Sequence, residues 1–252
     1  MWPFADPSLG PRLRLLGTTL REVERWLLPP ACLLCNEPVA DREGDALICG
    51  VCRTRWRPVP HPVCERCGQP TLRGVDCRLC LEGPQGLSRV RSAVWLDGSA
   101  RHAVHRLKYE GWSRAADAMA LSMRELEPLT EGVSLIPIPL GMRRLRTRGY
   151  NQSERIAAAL GAQLDLEVRT GLLRRVRETP TQTALTPEGR HANVAGAFEA
   201  EAVSGLHLVL VDDVFTTGAT LAAAGAALIA ASAARVEAVT FARAVVELGA
   251  RS

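Results

Sequence analysis

Two adjacent carboxylates, Asp212 and Asp213, stand between an apolar run and a group of small hydroxylated residues in the stretch VLVDDVFTTGATL at 209–221. Residues 206–211 are almost wholly apolar and rich in β-branched side chains. Their spacing predicts a strand buried on both faces, as in a parallel sheet, with the two acids ending it. Val214 and Phe215 lead into Thr216, Thr217, Gly218, Ala219 and Thr220, after which composition turns helical. Strand, polar turn and helix together present free backbone N–H groups and the positive end of a helix dipole to an anion. The threonine hydroxyls add donors, and Gly218 allows the backbone to come close. At the carboxyl end of a sheet strand the acids can accept hydrogen bonds from a vicinal diol or approach a hydrated divalent cation. A phosphate donor set on one side and a diol acceptor on the other describe a ribose 5-phosphate. The chain has no GxxxxGK[ST] run, so nucleoside triphosphate hydrolysis is not the chemistry indicated.

A second chemistry lies upstream. All eight cysteines fall inside 49 residues as four CxxC turns: Cys32 and Cys35, Cys49 and Cys52, Cys64 and Cys67, Cys77 and Cys80. Paired thiols at this density in a chain read as cytoplasmic favour zinc over disulfides. Two turns supply the four thiolates of a closed tetrahedral site, so two structural four-cysteine sites are available. Pairing of neighbouring turns is the simplest arrangement; an interleaved pairing and a single loaded site are the alternatives. A thioredoxin-like redox pair would need one CxxC beside a βαβ unit, which this Pro/Gly-rich segment does not provide. His61 is not needed as a ligand, since eight sulfurs suffice.

The elements that must position these groups are legible in outline. At 252 residues the chain holds one large domain and a small one, and 47% apolar residues support a sizeable core. The net charge of +4 is mild and selects no class of partner. Lys108 is the only lysine; every other basic residue is arginine, whose planar fork suits phosphate. Met1 to Pro11 lacks a basic start followed by an apolar run, and residues 221–234 are too short to span a bilayer. A cytoplasmic protein with no membrane span is expected.

In chain order, residues 9–28 carry leucines at three- and four-residue spacing and read as an amphipathic helix stopped by Pro29 and Pro30. The division expected is 1–30 for that helix, 31–83 for the cysteine module and 84–252 for an α/β domain, with a linker near 83–86. Strands are expected at 90–96, 134–140, 166–169, 172–175 and 236–242. Helices are expected at 100–109 and 113–126, and from Glu154 to about 164 with Ser153 as its cap. His102 and Lys108 read as residues of a wet helix face. Pro137 and Pro139 should finish their strand and set a fixed loop. Arg143, Arg144, Arg146 and Arg148 follow; alone they read as a solvated face, but at a strand end they are candidates to hold a pyrophosphate. Residues 177–196 are polar, turn-rich and long for a connection, the profile of a functional lid or of disorder. Trp56 and Trp112 could stack bases, with a core position the commoner use. Excluding the cysteine module, strands alternate with helices, the pattern of an α/β fold with a mainly parallel sheet.

The apolar run, Asp-Asp and TTGAT closely resemble the phosphoribosyl pyrophosphate (PRPP) signature of type I phosphoribosyltransferases. The wider order of parts resembles the ComF family of ComFC- and GntX-type proteins. The CxxC array, HRLKYEG at 105–111, IPIPL with RRLRTRGYNQ at 136–152, TPTQTAL with R-HANVAGAF at 179–198, and VLVDDVFTTGATL carry this resemblance. It spans roughly Cys32 to Arg243, with Tyr150 where many members have phenylalanine. It implies a zinc-finger module joined to a type I phosphoribosyltransferase-like fold, and a role in natural transformation, handling imported single-stranded DNA in the cytoplasm. In that frame residues 214–220 bind PRPP, Asp212 and Asp213 are the catalytic acids at the ribose hydroxyls, and Arg143 or Arg144 faces the pyrophosphate. Mg²⁺ accompanies PRPP, and Thr179, Gln182, Arg190 and Asn193 are lid positions. Pentosyl transfer is the reaction implied if the site turns over. The competing reading is a non-catalytic PRPP sensor that contacts single-stranded DNA or DNA-uptake proteins through its zinc module and arginine-rich face.

Overall fold

A computed structural model describes residues 30–40, 43, 46–72, 77, 80, 86–177 and 196–245. Two long apolar segments form its centre. β6 (His207–Phe215) and β7 (Arg235–Arg243) are nine residues each, lie parallel in register from His207 beside Arg235 to Phe215 beside Arg243, and are almost wholly buried. β1 (Arg89–Trp95) flanks β7, while β2 (Ser134–Pro137) and β3 (Glu167–Val168) extend the sheet beyond β6. The order is β1-β7-β6-β2-β3, and every pairing is parallel. A sheet of this kind must be covered on both faces, which is why its strands read as unbroken apolar runs.

Alternation along the strands divides the core in two. Val209 and Val211 of β6, Leu135 of β2, and Val239 and Phe241 of β7 face one cluster. That side is covered by α2 (Gly98–Tyr109), α3 (Ala115–Met123) and α5 (Gln152–Leu164), and Cys52 of α1 (Gly50–Thr54) joins the same cluster. Leu208, Leu210, Ile136, Val236 and Ala238 face the other cluster, covered by α6 (Ala219–Ala230). Each fully buried Leu or Ile there contributes roughly 1.5–3 kcal/mol of transfer free energy. A hairpin of β4 (Leu173–Arg175) and β5 (Phe198–Ala200) pairs antiparallel apart from the sheet and packs on α6 through Leu173 and Phe198.

Four local expectations change. The acids do not end their strand: Asp212 and Asp213 lie within β6, which continues to Phe215 because Val214 and Phe215 still pair with Ala242 and Arg243. The arginine run is helical rather than a loop, forming α4 (Met142–Arg148), which Gly149 closes in the left-handed conformation at φ 78°. Asn151, not Ser153, caps α5 and accepts the Ser153 N–H at 3.0 Å. Finally, the strand expected at 172–175 stands outside the main sheet and pairs only with β5, a strand of three residues that is too short to show a period. Trp56 is a core residue, edge-on to Phe241 at 4.8 Å, whereas Trp112 is exposed. The expected N-terminal helix lies outside the described residues. Among the described residues, no helix is long and apolar enough to cross a membrane.

Candidate functional site

The site is built at the carboxyl ends of β6 and β2. Ile138 N–H donates to Val211 O at 3.0 Å, so the Pro-bounded loop after β2 lies beside the end of the apolar run in β6. Asn151 holds that loop from the other side, donating from Nδ2 to Ile138 O at 2.9 Å while its Oδ1 caps α5. One buried side chain thus fixes both the loop and the helix that approaches the acids.

Ser153, one residue inside α5, donates from Oγ to Asp212 Oδ1 at 2.7 Å, and the Asp213 N–H reaches the same oxygen at 2.9 Å. Asp213 is paired with Lys108 of α2, whose Nζ lies 2.6 Å from Oδ2. Lys108 was expected on a wet face without a role; instead it is mostly enclosed, and His102 alone is exposed. Tyr150 donates its hydroxyl to Leu107 O, tying α2 to the start of α5. Arg148 of α4 stacks over Tyr109 at 5.0 Å and donates to Gln152 Oε1 at 2.9 Å. The carboxyl ends of α2 and α4 therefore meet over the acid pair.

Electrostatics follow from this enclosure. Burial, and then the adjacent Asp213 charge, push the Asp212 carboxyl up to about 7, against the pull of Ser153 and Lys108. Burial acts to lower Lys108, but Asp213 and Asp212 outweigh it and hold the ammonium above its ordinary value. Asp212 therefore changes charge close to neutral pH, where a neighbouring cation or hydrogen-bond donor favours its carboxylate form.

Beyond Phe215 the chain turns through exposed Thr216 and half-buried Thr217 to Gly218, which takes φ 78° as the residue before α6. Thr217 Oγ1 accepts the Ala219 N–H at 3.4 Å, and the first N–H of the helical ladder is that of Ala222, on Gly218 O at 2.8 Å. The N–H groups before Ala222 lie outside that ladder, as an anion site at a helix start requires. Val214 and Thr220 are half-buried beside this turn, and Ala219 is buried. Arg143 and Arg144 sit in the first turn of α4, on the segment that leaves the loop after β2. The lid positions Thr179, Gln182, Arg190 and Asn193 lie outside the described residues.

Both cysteine sets assemble from neighbouring turns. The sulfurs of Cys32, Cys35, Cys49 and Cys52 lie within 4.8 Å of one another, as do those of Cys64, Cys67, Cys77 and Cys80. Individual separations include 3.9 Å for Cys35 to Cys49 and 3.5 Å for Cys64 to Cys80. Thiolates about 2.3 Å from a tetrahedral Zn²⁺ stand roughly 3.8 Å apart, so both sets fit that ion and neither fits a disulfide. At Cys32 burial opposes the thiolate, but N–H groups of Cys49 and Leu34 bring its pKa down to about 7. Cys64 behaves alike through Cys67 and Arg66. Burial and neighbouring sulfurs push Cys52 and Cys80 up, a cost that a bound dication removes.

Comparison with known proteins places both halves. Residues 23–81 match the double zinc ribbon domain family, and residues 147–249 match the phosphoribosyl transferase domain family. DNA utilization protein YhgH of Escherichia coli (strain K12) is 32% identical over 204 residues, covering 77% of this chain and 88% of that protein. The chain belongs to the ComF family. Competence protein ComFC of Bacillus subtilis (strain 168) is 25% identical over 209 residues, covering 75% of this chain and 85% of its own. Competence protein F of Haemophilus influenzae (strain ATCC 51907 / DSM 11121 / KW20 / Rd) is 36% identical over 92 residues, covering 35% and 40%. This ComF-family chain therefore joins a double zinc ribbon to a phosphoribosyltransferase domain.

Sequence reasoning missed Lys108 and Ser153 as partners of the acids. A signal existed for the first: it is the one lysine in a chain that otherwise uses arginine. No local signal distinguishes Ser153 from an ordinary helix-start serine.

Proposed function

We propose that this ComF-family chain binds PRPP with Mg²⁺ and acts in DNA uptake, handling imported single-stranded DNA in the cytoplasm, with zinc held structurally in both cysteine sets. One observation supports the PRPP reading: Asp212 and Asp213 lie in the last residues of β6, whose end at Phe215 is followed by one short turn to Gly218 and the start of α6. A diol acceptor and a phosphate donor set are thus a few residues apart, the span of one pentose phosphate. Thr216, Thr217 and Thr220 with the N–H groups of 217–220 hold the 5-phosphate, and the acids take the ribose hydroxyls. Arg143 and Arg144, beyond the loop after β2, face the pyrophosphate. Asp212 and Asp213 would approach the hydration shell of a Mg²⁺ ion, which would offset the negative charge of the pyrophosphate. Asp212 gives up its proton to solvent as the ribose hydroxyls donate to its carboxylate, and Ser153 keeps that carboxylate oriented.

The test is calorimetric titration of the zinc-loaded protein with PRPP, with and without Mg²⁺, beside Asp212→Ala/Asp213→Ala. Saturable, Mg²⁺-dependent heat that the double variant loses supports the reading; no heat with wild type ends it. Pyrophosphate release on adding nucleobases would make the protein a pentosyltransferase.

A second reading has its own observation. Lys108 already occupies Asp213 at 2.6 Å, so the second acid is committed to an internal cation, which suits a sensor better than a turnover site. A non-catalytic PRPP-sensing adaptor would then contact single-stranded DNA through arginines on phosphates, with salt-sensitive affinity. Gel shifts of single-stranded DNA at rising salt, comparing wild type with Arg143→Ala/Arg144→Ala, separate this from catalysis.

A further inference from the structure

The second cysteine set is bound to the end of the sheet by two buried arginines from inside it. Arg91 of β1 is 5% exposed and donates from Nη1 to the carbonyls of Cys64 at 3.4 Å and Glu65 at 3.0 Å, with Nε on Glu127 at 2.6 Å. Arg243, the last residue of β7, is wholly buried; it donates from Nη1 to Cys67 O at 2.8 Å and from Nε to Gln69 Oε1 at 3.1 Å. Between them Val90 N–H donates to Arg66 O at 2.8 Å. Gly68, at φ 69°, lies so close that a Cβ would stand 2.6 Å from Val90 O. The turn Cys64–Cys67 is thus seated directly on the main chain of β1 and on the tip of β7.

The guanidinium of Arg243 faces a second way. It lies over the ring of Phe215 at 4.2 Å, and Phe215 is its register partner and the residue immediately before Thr216. Ala244 N–H closes the contact on Phe215 O at 2.8 Å. An unbroken series of contacts therefore runs from Cys67 through Arg243 and Phe215 into the phosphate turn at 216–220. A buried guanidinium is costly unless compensated. Here Cys67 O and Gln69 Oε1 take up its N–H donors and the Phe215 ring covers its face. The first cysteine set meets the sheet elsewhere, with Cys32, Cys49, Cys52 and Trp56 in the cluster on the α2, α3 and α5 side, whereas Phe215 belongs to the opposite cluster.

We propose that Arg243 is a positioning residue for the phosphate turn, through which the second cysteine set, and not the first, holds residues 216–220 in their ligand-ready shape. Metal loading of Cys64, Cys67, Cys77 and Cys80 and binding of a sugar phosphate are then thermodynamically linked. This inference rests on the sugar-phosphate reading of the turn.

The experiment uses the full zinc-loaded chain, with Arg243→Met, Arg243→Lys, Cys77→Ser and, as control, Cys35→Ser. Amide hydrogen exchange is followed without ligand on peptides covering 213–222, and ribose 5-phosphate and pyrophosphate are titrated separately. Arg243→Met and Cys77→Ser should speed exchange at 216–220 and weaken ribose 5-phosphate by about tenfold or more. Pyrophosphate, held at the other end of the site, should bind as in wild type. Arg243→Lys should recover part of the affinity, and Cys35→Ser should leave the turn unchanged. Equal effects of Cys35→Ser and Cys77→Ser would overturn the proposal. Loss of protection throughout β6 and β7 in Cys77→Ser would do so too, because the cysteine set would then be only a general prop. Should Arg243→Met fail to fold, the Cys77→Ser and Cys35→Ser comparison decides. If wild type binds no ribose 5-phosphate yet the exchange pattern appears, the ligand assignment falls and the coupling stands.

Discussion

Replacing Asp212 with Asn should stabilise the ligand-free protein above neutral pH while removing its affinity for PRPP with Mg²⁺. The carboxyl titrates near 7 in the folded protein against an ordinary 3.8, because it is buried beside Asp213. The native state therefore holds this proton more tightly than the unfolded chain does. The stability this contributes is whole below pH 3.8 and is lost as pH rises through about 7. Each pH unit within that window is worth about 1.4 kcal/mol, so wild type should lose on the order of 2–3 kcal/mol relative to the variant between pH 5 and 8. Asparagine keeps a carbonyl oxygen for the donors now on Oδ1, Ser153 Oγ at 2.7 Å and Asp213 N–H at 2.9 Å, so little else changes. Urea unfolding of both zinc-loaded proteins at pH 5, 6, 7 and 8 measures the difference, and effects on the thiolates cancel because both proteins share them. A difference between wild type and variant that stays flat across that range would refute the electrostatic account of the acid pair.

Lys108→Met leaves Asp213 buried without its cation and should cost roughly 3–5 kcal/mol, most of it recovered in Lys108→Met/Asp213→Asn; thermal and urea unfolding of the cycle report it. Binding of PRPP with Mg²⁺ at pH 7 should release a fraction of a proton from Asp212, seen as a heat that changes with the ionisation enthalpy of the buffer; equal heats in phosphate-free buffers of different ionisation enthalpy would count against it. Because both cysteine sets have the spacing of closed tetrahedral sites, metal analysis should give two zinc ions per chain, falling to one in Cys52→Ser. Gly68→Ala forces a Cβ against Val90 O and should destabilise by about 1–3 kcal/mol, measured by the same unfolding assay.

What could be read along the chain was what depends on near neighbours. The apolar runs at 206–211 and 236–242 became β6 and β7 because strands buried on both faces leave an unmistakable composition, and the CxxC turns paired as neighbours because short loops bring adjacent turns together first. Asp212, Asp213 and the turn to Gly218 are contiguous, so their order survived folding intact even though the strand ran on to Phe215. The helix at Met142–Arg148 was hidden by a charged composition that suits an exposed helix and an exposed loop equally.

The partners of the acids were decided only in three dimensions. Lys108 precedes Asp213 by more than a hundred residues, and nothing local distinguishes a lysine on a wet helix face from one directed at a buried carboxylate. Arg91 breaks the apolar pattern of its strand visibly, whereas Arg243 lies one residue past the strand expected at 236–242 and reads as the start of a tail. The structure instead makes it the buried last residue of β7, and both pairings needed the cysteine turn to be seated on them. Spacing along the backbone specifies which groups a segment can offer, whereas the charge each group bears, and what it pairs with, follow from burial and from contacts between segments far apart in the chain.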